Sequence, residues 1–383
     1  MHTTDSGQIK KISCFGCSCM VMILLTSLLA FTQPACSQAK PEPDKSAAIT
    51  KALKVIVNEG KAPGMIAAII SGDGLIAIGS AGVRKVGSDI PITCNDLVHL
   101  GSCTKAMTST LLATLVAEGK LNWQMKLVEA IPELKKSIDP GYQNITLGQL
   151  LTHRAGLPSD PSDWDAHSTK EIKERRLSIL KDNLSSPPAM KPGEFNYSNF
   201  GYMIAACMAE KVTGSSWESL MKQRLFDPLG MSSAGFGEPD KQQLINQPWG
   251  HSKSGGKWQP GRYYDAEAIG PAGEVHCNVE DWAKFLSLFI TDKNSILEQK
   301  YLNKLVEPVG FYACGWGVTE DLPWAKGKVL THNGSNGIWY ATVMVAPALD
   351  RVWVVVTNSR DFSNTSDICS KMLSSLIKLD SKQ

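Results

Sequence analysis

The residues in this chain best placed by type and spacing to do chemistry are a serine and a lysine three positions apart, in the tetrad Ser102-Cys103-Thr104-Lys105. The same S-x-x-K spacing begins at Ser37, Ser178, Ser219, Ser254 and Ser375, so the pattern alone selects nothing. The surroundings select the Ser102 copy. An apolar, strand-like run ends at Gly101, and Leu111, Leu112, Leu115 and Val116 follow at helical spacing before Gly119. At i and i+3 on a helix the hydroxyl and the amine are neighbours. Burial and the helix N-terminus both favour the neutral amine, which can take the serine proton. The tetrad therefore predicts a nucleophilic serine with an amine base on a helix running from Ser102 to Glu118.

A second group, Tyr197-Ser198-Asn199, follows the turn signal Lys191-Pro192-Gly193 and precedes an apolar helical run from Phe200 to Thr213 that Gly214 ends. A phenol beside a cationic lysine is expected to have its pKa lowered and to relay a proton to a leaving group. Asn199 is expected to hold a substrate amide or carbonyl. A third group, His332-Asn333-Gly334, ends a strand-like run and reads as an edge strand lining a cleft. Its glycine admits a close backbone approach, and the amide of Ser335 pairs with that of Ser102 as two donors for a tetrahedral oxyanion.

In that order these motifs resemble the penicillin-recognising serine hydrolases, in the branch of class C β-lactamases, D-alanyl-D-alanine carboxypeptidases, D-aminopeptidases and related esterases. The segment Leu150-Leu151-Thr152-His153-Arg154-Ala155-Gly156-Leu157 and the turn Asp227-Pro228-Leu229-Gly230-Met231 add to the likeness. The resemblance implies Ser102 as acylated nucleophile and Lys105 and Tyr197 as its proton-handling partners. It implies Asn199, His332, Asn333, Gly334 and Ser335 as substrate contacts, with no metal or cofactor. The substrate it implies is a small molecule or peptide: a D-amino-acid peptide, a β-lactam or a small ester. The alternative is a non-catalytic peptidoglycan- or peptide-binding protein on the same fold, against which the intact Ser102, Lys105 and Tyr197 argue.

Two departures bear on substrate. His332 stands where many β-lactamases have lysine, so a fixed positive charge becomes a titratable imidazole. In Ala272-Gly273-Glu274-Val275-His276-Cys277, Glu274 and Cys277 replace a glycine and a serine; Glu274 and His276 are expected as a solvated loop carboxylate and a satisfied loop histidine, with substrate contact at the cleft rim as the alternative.

Composition agrees with such an enzyme. The 383 residues are 43% hydrophobic and carry 39 basic against 37 acidic side chains. Setting aside residues 1–39 removes Lys10, Lys11 and Asp5 and leaves 37 against 36, with no basic run to bind nucleic acid. Lys10 and Lys11 ahead of the apolar stretch Met20 to Phe31 read as an export signal with a cleavage site at Ser37-Gln38-Ala39. The mature protein is expected in the periplasm or outside the cell, near the cell wall or membrane surface. Soluble export is favoured over a lipid anchor at Cys36, because Gln33 stands where an aliphatic residue belongs. Cys14, Cys17, Cys19 and Cys36 fall in or beside the signal, so their spacing is not taken as a metal site. Cys103 is expected to pack, since it points away from Ser102 on the helix.

The elements that must position these groups follow from caps and periods. Asp44 starts a helix that Gly60 stops, and two apolar strands flank Gly72-Asp73-Gly74. Thr146 with Gln149 and Ser215 with Glu218 read as capping boxes. A helix capped near Asn278, strands from Val329 to Ser359 and an amphipathic stretch from Thr365 to Leu379 complete the chain. The expected fold is α/β (α+β), a β-lactamase/transpeptidase-like antiparallel sheet flanked by helices. Residues 40–100 and 268–383 form its α/β half, and 101–267 an inserted all-α half. The segment Ser159 to Lys191 is expected as a mobile flap that shapes the cleft with Trp249, Trp258, Tyr263 and Tyr264.

Overall fold

The structure is a computed structural model that describes residues 41–188, 190–242, 244–262, 266–292 and 296–381. The segment expected as an export signal, its cysteines, Tyr263 and Tyr264 lie outside the described residues.

The sheet is built from both ends of the sequence. Helix α1 (Pro43–Asn58) leads into β1 (Gly64–Ser71) and β2 (Gly74–Gly82). Three further strands, β3 (Val98–His99), β4 (Gly235–Phe236) and β7 (Val275–Cys277), form a small separate sheet in the order β3-β7-β4, while β5 (Gly250–Ser254) and β6 (Lys257–Gly261) pair as a hairpin. The main sheet is closed by β8 (Gly317–Thr319), β9 (Val329–Ser335), β10 (Tyr340–Ala346) and β11 (Arg351–Thr357), in the order β2-β1-β11-β10-β9-β8 with every pair antiparallel.

Strand β1 shows why the sheet sits where it does. Its sequence is an unbroken apolar run, because both its faces are covered. Met65, Ala67 and Ile69 pack with Ile49 and Leu53 of α1 and with Cys369, Met372 and Leu376 of α5 (Thr365–Asp380). Ile66, Ala68 and Ile70 join the larger core with Leu100, Cys103 and Leu111. Each of the isoleucines, leucines and methionines among them contributes about 1.5–3 kcal/mol by burial, and the alanines less. That larger core is helical: α2 (Thr104–Ala117), α3 (Ile172–Asn183) and α4 (Asn199–Thr213) pack behind the nucleophile.

The fold class is the one the sequence implies, with local corrections. The middle of the chain is not all-α, since it contributes β4 and the β5–β6 hairpin. The Thr146 box is present, with Gln149 N donating to Thr146 Oγ1 at 3.3 Å and Thr146 N to Gln149 Oε1 at 3.0 Å. The Ser215 box is absent: Ser216 is the cap, accepting from Ser219 N, and Glu218 instead pairs with Arg176. The segment Ser159 to Lys191 carries α3, pinned by the fully buried Arg176, which donates to Glu210 at 2.6 Å and Ala268 O at 3.0 Å. Trp258 braces the hairpin on Gly60 O at 3.0 Å.

Candidate active site

The nucleophile sits on a 3-10 turn, Gly101–Cys103, that runs directly into α2, so the helix proper starts two residues later than the sequence predicts. Strand β9 is not the last strand of its sheet, but β8 pairs only with Val329 to Thr331. Beyond them the outer edge of β9 meets the Ser102 turn. The approach is so close that a Cβ on Gly334 would fall 1.9 Å from Leu100 O and 2.9 Å from Ser102 N, and one on Gly101 2.3 Å from Ser335 N. Only glycines permit this contact, which brings the amides of Ser102 and Ser335 to one junction. The Ser335 hydroxyl donates to Trp339 O at 2.7 Å and serves the following turn, and the Asn333 side chain accepts from Thr342 Oγ1 at 2.7 Å across the sheet.

Lys105 is fully buried beneath Ser102. Its Nζ lies 3.1 Å from Ser102 Oγ, 2.6 Å from Asn199 Oδ1 and 2.8 Å from Ala272 O. Helix α2 fixes that last carbonyl through two further bonds: Thr108 Oγ1 donates to Pro271 O and Val275 N to Thr104 Oγ1. Burial pushes the Lys105 ammonium down to about 7, against a smaller opposing pull from Asp160. A neutral amine has two N–H donors and one lone pair. With two carbonyls to receive the donors, the lone pair is left for the serine hydroxyl.

Tyr197 stands beside Ser102 and Lys105, with Lys105 Nζ 4.7 Å from its ring centre. Its pKa is not lowered as the sequence reading expects. Burial raises it, and a lysine that is itself largely neutral supplies little charge to offset the desolvation. Tyr197 is a neutral phenol. Asn199 bridges Lys105 and Asp160: its oxygen is held by Lys105 and its Nδ2 donates to Asp160 Oδ1 at 2.8 Å.

His332 stands one layer back from Ser102. It is buried, its Nδ1 donates to Asn333 O at 2.8 Å, and its Nε2 therefore accepts from the Tyr312 hydroxyl at 2.9 Å. Burial, with some repulsion from Lys105, pushes it down to about 3, so the expected titratable cation is a fixed neutral imidazole. Behind Tyr197 lies His153, buried with its ring 4.3 Å from Tyr197 and 4.7 Å from Tyr312, and pushed down to about 2 chiefly by desolvation. Its Nδ1 accepts from Ser198 N at 3.0 Å and so fixes the start of α4.

The solvated expectation for Glu274 and the cleft-rim alternative for Glu274 and His276 are corrected. Both are buried. Glu274 Oε2 lies 3.6 Å from His99 Nε2, and His99 Nδ1 accepts from Gly101 N at 3.2 Å, so the pair braces the turn that carries Ser102. His276 Nδ1 donates to Gly237 O at 2.8 Å. Cys103 packs in the core as expected.

The site thus brings together Ser102, Lys105, Tyr197, Asn199 and the backbone of Gly334 and Ser335, the groups that the tetrad and the two later motifs predict to converge. The Beta-lactamase family model matches residues 48–368, most of the chain and every one of these positions. The chain belongs to the beta-lactamase family. Among family relatives, penicillin-binding protein 4 of Amycolatopsis lactamdurans is 24% identical over 296 residues, covering 73% of this chain and 76% of that one. Protein flp of Staphylococcus aureus (strain N315) is 24% identical over 326 residues, 82% of this chain, which spans 63% of flp's length. The solved D-amino acid amidase from Ochrobactrum anthropi SV3, complexed with L-phenylalanine amide, shares the fold at a TM-score of 0.71 and 21% identity, over 88% of this chain and 99% of that one.

Residues that the sequence reading gave no role are Asp160, Tyr312 and His153. His153 carried a signal, since it stands inside a motif. The other two reach the site from loops, and nothing in their local sequence marks them.

Proposed function

We propose that the protein is a serine hydrolase that forms an acyl-enzyme at Ser102 and releases it to water, cleaving an amide or ester of a small acyl donor or peptide. The observation that carries this reading is the Lys105 amine, buried, brought down to about 7 and facing Ser102 Oγ at 3.1 Å. Neutral Lys105 takes the Ser102 proton as Oγ bonds to the substrate carbonyl carbon. The oxyanion that forms is met by the amides of Ser102 and Ser335. The Tyr197 hydroxyl then protonates the leaving group as its bond to the acyl carbon breaks, and the Lys105 ammonium restores that proton. Deacylation runs in reverse with water as nucleophile: its proton passes to Lys105, and Ser102 regains one as its bond to the acyl carbon breaks. Relatives named as a penicillin-binding protein and a D-amino acid amidase support amide chemistry of this kind.

The test is hydrolysis of p-nitrophenyl acetate by the wild type and by Ser102→Ala, with circular dichroism to establish folding. Activity that disappears with the hydroxyl supports the mechanism; full activity in the variant overturns it. The basic and apolar pattern of residues 1–39 further supports export, and N-terminal sequencing of protein recovered outside the cytoplasm would find the chain starting at Lys40.

A further inference from the structure

The subsite beside Asn199 has an inverted polarity. An asparagine amide that was free to donate would suit a substrate carbonyl. Here its Nδ2 donates to Asp160 Oδ1 at 2.8 Å, and its oxygen is held by Lys105. Beside it stands the exposed Asp160 carboxylate, whose second oxygen has no hydrogen-bond partner among the described residues. A carboxylate accepts only, so it meets a donor and repels an anion.

Among the described residues, the basic side chains that the site's motifs supply besides Lys105 are neutral or occupied. His332 is a buried imidazole with both nitrogens bonded, where a lysine would carry a fixed charge. His153 is buried in an aromatic cluster. The guanidinium of Arg154 donates to Gly193 O at 2.9 Å and Val309 O at 2.7 Å. Asp160 acts on both Lys105 and Tyr197 through space, which sets it close to the reacting groups.

We propose that Asp160 recognises a positively charged amino group on the acyl donor, so that the protein acts on aminoacyl amides or esters with a free ammonium in preference to donors bearing a carboxylate. This rests on the hydrolase reading and narrows its substrate class. A charge-assisted hydrogen bond at an exposed site corresponds to a preference of roughly 10- to 100-fold, and it weakens with salt because the carboxylate is solvent-facing.

The experiment compares kcat/KM at pH 7 for the p-nitroanilides of D- and L-alanine with their N-acetyl and N-succinyl forms, using the wild type, Asp160→Asn and Asp160→Lys. The wild type is expected to favour the free amine over the acetylated form by about 10- to 100-fold in at least one enantiomer. Asp160→Asn should collapse that ratio to within about threefold, and Asp160→Lys should favour the succinylated form. A ratio near one in the wild type, or one that survives Asp160→Asn, overturns the assignment. Calorimetric binding of D- and L-alaninamide and their N-acetyl forms to Ser102→Ala separates the two readings. Tighter binding of the free amine supports the Asp160 site even where no anilide is turned over, and equal binding overturns it.

Discussion

Replacing Lys105 with methionine keeps most of the side-chain volume and removes the base, and the structure gives both consequences a size. Lys105 falls from the ordinary 10.5 to about 7, which corresponds to about 5 kcal/mol of penalty on the charged form. Below pH 7 the lysine is charged in folded and unfolded chains alike, and the penalty on folding is present in full. Between 7 and 10.5 the unfolded chain holds the proton and the folded one does not, so wild-type stability rises with pH. Between pH 6 and pH 9 this amounts to about 2–3 kcal/mol gained by the wild type relative to Lys105→Met. The variant also leaves Asn199 Oδ1 and Ala272 O without Nζ, at about 1–3 kcal/mol each. That loss does not vary with pH and cancels when the two conditions are compared. The assay is guanidinium unfolding of both proteins at pH 6 and pH 9, beside ester hydrolysis, which should fall by about 10²- to 10⁴-fold. A stability difference that is the same at both pH values would refute the depressed lysine, and with it the amine base.

Gly334→Ala would drive a methyl into Leu100 O and part β9 from the Ser102 turn; kcat/KM for ester hydrolysis should fall by about 10²-fold or more while circular dichroism stays native. Arg176→Met strands the buried Glu210 carboxylate between α3 and α4; denaturation should report a loss of about 3–5 kcal/mol. His332→Lys places an ammonium at a position that already feels the charge of Lys105. The acid limb of the kcat/KM profile, expected near 7 in the wild type, should move to lower pH, and an unmoved limb would contradict that coupling.

Much of the site was legible because its parts are local. Ser102 and Lys105 meet by helical spacing alone, and Tyr197 and Asn199 flank the start of a helix whose stop, Gly214, is visible in the sequence, its cap being Ser198. The apolar run of β1 likewise announced a strand, which the fold covers on both faces. What failed was whatever depends on depth. Tyr197 was expected to acidify beside a cation, but burial that raises its pKa also removes the cation's charge. Glu274 was read as a solvated loop carboxylate and His332 as a titratable cation, because the local sequence does not reveal that both side chains are buried. Asp160 and Tyr312 lie on segments whose approach is set by tertiary packing, Asp160 through Ser159 O, which accepts from Asn199 N at 2.7 Å. The shift from Ser215 to Ser216 is the ordinary one-residue ambiguity of a cap in a run of serines.

The most direct test of the account is intact-mass and peptide-map analysis of the folded protein after treatment with a fluorophosphonate at pH 6 and pH 8. The account predicts a single adduct on the peptide carrying Ser102, formed faster at pH 8 as Lys105 loses its proton, and lost in Ser102→Ala. An adduct on any other residue, or none on protein shown to be folded, would contradict it.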